Sequence, residues 1–102
     1  MASRLKMHEE LKSVLGSENV YFNPPNGLQM KYPCIVYHRH NEDVKHANDK
    51  IYLQTMQYDV ITISKDPDNT IAHDLLSHFQ MASYDRPWTE AGLFHEAVTI
   101  YY

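Results

Sequence analysis

Cysteine is nearly missing from this sequence, and so are glycine and tryptophan: the chain has 1 Cys, 3 Gly and 1 Trp. One cysteine forms no disulfide within the chain and no zinc set of the CxxC type, so neither a stapled secreted scaffold nor a thiolate metal site is available. Three glycines leave no glycine-rich phosphate cradle. Motifs of the GxSxG and HExxH kind are also absent, and no apolar stretch is long enough for a membrane span or a signal segment. These absences point to a protein of the reducing cytoplasm with no membrane anchor.

Positive charge is in short supply as well. Lys and Arg number 9 against 13 Asp and Glu, a formal net charge of -4. A surface of that sign repels a phosphate backbone, which disfavours general nucleic-acid binding. What the chain does have is an ordinary globular share of hydrophobic residues, 43%, and 8 tyrosines in a length of 102 residues. That is enough for one domain with one core.

The periodicities read from end to end. Met7, Leu11, Val14 and Leu15 repeat at helical spacing, with Ser3 placed to cap and Gly16 to stop, which predicts a helix over residues 3–15. NVYF follows as a brief strand, and PPNG breaks it into a loop. The β-branched and aromatic run in YPCIVYHRH predicts a strand from Pro33 to His40. The next run, residues 51–64, alternates Tyr58, Val60 and Thr62 with Asp59, Ile61 and Ile63, so both faces of that strand carry apolar groups.

In DPDNTIAHDLLSHFQMA, Asp66 is placed to cap, Pro67 fits the first helical position, and Ile71, Leu75, Phe79 and Ala82 form a stripe. A second helix is therefore expected from Pro67 to Met81. YDRPWTEAG reads as a loop with room for a short strand near Tyr84, and FHEAVTIYY as a final strand. The order predicts a single α+β domain over residues 1–102, with two helices on a mainly antiparallel sheet of four to five strands.

Few residues carry chemistry. His38, His40 and His46 stand among Glu42, Asp43 and Asp49, and His38 and His40 share a strand face. No cysteine and no preorganising turn accompany them, so a polar hairpin connection fits better than a metal site. Cys34 lies mid-strand beside Ile35 and Val36, a setting for a small core residue rather than a nucleophile. Asp66 and Asp68 are explained by helix capping rather than acid and base catalysis. His73 and His78, five apart on a helix, read as solvent-facing. No cofactor site and no enzymatic constellation emerge.

Taken together, NVYFNPPNGLQMKYPCIVYHR, YDVITISKDPDNTIAHDLL, YDRPW and HEAVTIYY, in this order and spacing, resemble the small tail-completion or tail-terminator proteins of long-tailed bacteriophages and prophages. The resemblance runs from the first helix to the terminal tyrosines and departs from the family pattern at TEAGLFHE, residues 89–96. It implies a virion structural protein at the head–tail junction, not an enzyme. Such a protein forms a homo-oligomeric ring, hexameric in this family, that caps the tail tube, stops its polymerisation and meets the head–tail connector. DNA passes through the lumen without specific binding.

The resemblance also implies a lumen or assembly loop between the long strands, carrying Arg39, Glu42, Asp43, Lys45, His46, Asp49 and Lys50. Its mixed charges make a nonadhesive lining. It further implies a subunit-interface strand with Tyr52, Tyr58, Asp59 and Ile61. Two other readings fit the same residues: a head-side adaptor ring that closes the capsid, and a small hydrolase with a His/Asp metal site.

Overall fold

The structure is a computed structural model, and it describes residues 4–40 and 56–102. Two helices, α1 (Arg4–Leu15) and α2 (Ile71–His78), accompany five strands: β1 (Val20–Phe22), β2 (Cys34–Arg39), β3 (Gln57–Ser64), β4 (Ala82–Glu90) and β5 (Leu93–Tyr101). The strands form one sheet in the order β1-β2-β3-β5-β4, with only β1 and β2 parallel. This is the expected α+β architecture.

Both helices lie on one face. Met7 and Leu11 of α1 and Ala72 and Leu75 of α2 pack on Ile35, Tyr37, Tyr58, Val60, Val98 and Ile100. These positions alternate along their strands and line up in register across the sheet, Tyr37 with Val60 and Val60 with Val98. Full burial of an aliphatic side chain such as Leu11 or Leu75 stabilises by roughly 1.5–3 kcal/mol. α1 covers the β1–β2 side and α2 the β5–β4 side.

The first helix ends as its glycine predicts. Gly16 has φ 78°, and the N–H groups of Gly16 and Ser17 both reach the Lys12 carbonyl, at 2.8 and 3.3 Å. That left-handed closure satisfies a carbonyl which the helix would otherwise leave unpaired.

The second helix is shorter than expected at both ends. Asp66 does not cap it; its Oδ1 accepts from the Asp68 N–H at 2.9 Å, and Asn69 Oδ1 accepts from the Ile71 N–H at 3.2 Å. Side chains that bond the backbone two residues on hold 66–70 as turns, and the helix begins only after them. At the other end Phe79 is already extended (φ -91°, ψ 132°). Three residues later the chain pairs with β5, Ala82 opposite Ile100. Phe79 nevertheless stays buried in the core.

The YDRPWTEAG segment is a strand rather than a loop. β4 runs from Ala82 to Glu90 and pairs with β5 throughout, with a bulge between Tyr84 and Arg86. Ala91 and Gly92, with φ of 54° and 76°, make the two-residue reversal into β5, the turn geometry that matches strand twist.

Candidate functional site

At the end of β2, strand alternation brings His38 and His40 to one face, and the register sets Asp59 of β3 directly opposite His38. His38 Nε2 lies 3.3 Å from Asp59 Oδ2, and His40 Nδ1 lies 3.0 Å from the same oxygen. The three side chains remain 31–47% exposed, so water weakens the interaction. Among the described residues no group of three or more His, Cys, Asp or Glu side chains is arranged to hold a metal ion. Arg39 is exposed at the end of the same strand. The rest of the expected loop set, Glu42, Asp43, Lys45, His46, Asp49 and Lys50, lies outside the described residues, as does Tyr52.

The expected interface strand divides between two environments. Tyr58 is only 2% exposed, beneath the helices, with its ring 6.1 Å from that of Tyr37. Asp59 and Ile61 point to the opposite face. β3 is the centre of the sheet, hydrogen-bonded on both sides, so its outward contacts are confined to that face.

Among the described residues no helix covers this second face. Its middle row is Val36, Ile61 and Ala97, all half-buried. Toward the hairpin, Trp88 stacks on His95 with ring centroids 5.1 Å apart, and the Arg86 guanidinium sits 4.4 Å above the Trp88 ring. Toward the other end, Thr99 donates to Asp85 Oδ2 at 2.8 Å. The result is an apolar band grading into a polar one, which holds Asp59 and the two histidines. The β1–β2 connection runs past it, since the Lys31 N–H donates to the Tyr21 hydroxyl at 3.4 Å and Tyr21 is registered with Val36.

Two polar clusters on the helix side escaped the sequence reading. Glu10 of α1 accepts from the Tyr102 hydroxyl and also meets His78 Nε2 at 2.8 Å. The Tyr102 bond, then the His78 contact, hold the Glu10 carboxyl below its ordinary value. Burial and the same bond push Tyr102 up to about 12. His78 is therefore a tie between helices, not merely a solvent-facing residue. The second cluster centres on the Tyr37 hydroxyl, which accepts from Arg4 at 3.1 Å and faces His8 Nδ1 at 2.7 Å. Burial first, then the charges of Lys12 and Arg4, lower the His8 pKa and favour the neutral ring. No local motif announces either cluster, because the partners are 29 to 92 residues apart.

Cys34 is fully buried, and burial pushes its thiol up to about 11. A thiol in that state is a poor nucleophile. The Asp66 carboxylate is spent on the turn before α2, where it accepts from the Asp68 N–H; Asp68 and His73 are exposed. No protein-family model matches the chain, and no curated protein matches it.

Proposed function

We propose that this chain is a subunit of a bacteriophage tail-terminator ring: a structural protein that caps the tail tube, stops its growth and meets the head–tail connector. The sequence resemblance names this role. The observation that supports it is the sheet face away from both helices, where Val36, Ile61 and Ala97 form a half-buried apolar row beside the buried Cys34 and Ile63. A monomer with a single core has little use for such a row, whereas a protein that works by stacking against another assembly does. Asp59 and Ile61 sit in the middle of this face. The loop between the long strands, with Arg39 at its base, lines the lumen in this reading, and its mixed charge lets DNA slide.

The test is assembly. Ring formation gives a solution mass near six copies of the 12.0 kDa chain, about 72 kDa, and annular particles by negative stain. Added to polymerising tail-tube protein, the ring shortens the tubes. Pull-downs against purified tube and connector proteins separate a tail-side from a head-side ring. Virions lacking the protein that still grow tails of normal length and join them to filled heads would refute the reading.

A further inference from the structure

The large apolar side chains left exposed among the described residues are Leu5, Leu28, Met56, Met81 and Tyr84. Four of them divide between the two outer sides of the sheet. Leu5, 66% exposed, is on α1, which overlies β1 and β2 and is pinned there by Arg4 on Tyr37 and Phe22. Leu28, 41% exposed, is carried by the β1–β2 connection. On the far side, Met81 (52%) leads into β4, held there by its carbonyl on the Tyr101 N–H, and Tyr84 (43%) is on β4 itself.

Charge divides the same way. The β1 side carries Arg4 and Lys31; its neighbouring carboxylates Glu9 and Glu18 are both paired with Lys12, and Glu10 of the same helix faces away, toward His78 and Tyr102. The β4 side carries Glu90 and Glu96, joined by Asp66 and Asp68 from the turn that forms a groove with Pro87 and Trp88. Its cations are Lys65 and Arg86, and the latter lies over Trp88.

Backbone pairing between the two edges is poorly served. β1 has three residues, and β4 is interrupted by its bulge and by Pro87, which has no N–H to offer. Side chains must then make any contact.

We propose that the β1 side of one copy docks on the β4 side of a second copy, with Leu5 and Leu28 meeting Met81 and Tyr84 between complementary charges. The occupant is another copy of this chain because the two sides differ and match each other in both polarity and charge. That is the requirement for a head-to-tail contact which repeats around a closed ring. This inference rests on the ring reading and assigns its lateral contact, leaving the open face for the next component of the tail.

Complementation tests it. Leu5→Asp and Met81→Asp each damage one side only, and both side chains are exposed enough for the fold to survive, which circular dichroism verifies. Each variant alone should be monomeric at concentrations where the parent assembles, a loss of at least about tenfold in affinity. Mixed in equal amounts, the intact β4 side of the first meets the intact β1 side of the second, and dimers of about 24 kDa appear, two 12.0 kDa chains. Parent assembly should also weaken at about 0.5 M salt. Variants that assemble like the parent, or a mixture that stays monomeric, would overturn the assigned contact while leaving a ring intact. A parent that is monomeric at every concentration would overturn both.

Discussion

Glu10→Ala removes a carboxylate that joins three elements. Glu10 is on α1, His78 ends α2, and Tyr102 follows β5, 92 residues away. A hydrogen bond to a charged group contributes about 1.5–3 kcal/mol when shielded. Glu10 is 30% and His78 42% exposed, so solvent screening reduces the pair to the lower end. The expected loss is about 1–2 kcal/mol near neutral pH, which for a domain of this size lowers Tm by very roughly 4–12 °C.

The pH dependence gives the sharper test. The folded-state pKa of Glu10 is depressed, so its contribution is present above the unfolded carboxyl value of about 4.3 and is lost as pH falls through the lower folded value. Urea unfolding of parent and variant should differ near pH 7, and the gap should shrink as pH falls below about 4. A gap that does not shrink would show that the loss is only one of packing. Tyr102 has the opposite sign: its pKa is raised to about 12, so its share is full below the unfolded value of about 10 and declines as pH rises through 12. Tyr102→Phe should remove most of what Glu10→Ala removes, and a double-mutant cycle measures the overlap.

Other expectations follow from single sites. Cys34 should resist a thiol reagent such as Ellman's at about pH 8 in the folded state and give one equivalent after unfolding. Leu75→Ala should cost about 2–5 kcal/mol in denaturant melts, enough to jeopardise the fold. Gly92→Ala should cost about 1–2 kcal/mol through its positive φ alone, because no atom lies within 4 Å of the added Cβ. Deleting residues 41–49 should leave the fold and change assembly on tubes; capped tubes of normal length would remove the loop from the mechanism.

α1 can be read in the sequence because it buries one stripe against the sheet, and β1, β2 and the last strand because their β-branched and aromatic residues are dense and the core-facing ones alternate. A regular burial pattern writes a regular residue pattern, period 3.6 for Met7 and Leu11, period 2 for Val98 and Ile100. The Ile71, Leu75, Phe79 and Ala82 stripe is also real, and all four reach the core. Only half of it is helical, because Asp66 and Asn69 hold the turn before it and β5 captures Ala82 after it.

β4 was illegible for a related reason. Most of its residues are exposed, its bulge shifts the side-chain alternation at Asp85, and Pro87 argues locally against a strand. Its hairpin turn is Ala-Gly, without the Asn-Gly or Asp-Gly signal. Among the candidate site residues, the His38, His40 and Asp59 grouping was half visible. The alternation put the two histidines on one face, but only the β2–β3 register supplied the carboxylate.

The sequence by itself determined the class of fold and the core stripes, since these depend on residue type and spacing along the chain. Tertiary structure alone decided that both helices share one sheet face, that Tyr58 is core while Ile61 faces outward, and that Glu10 meets His78 and Tyr102. Those outcomes depend on register and on contacts between distant segments, and no local period encodes which strand a given strand will pair with.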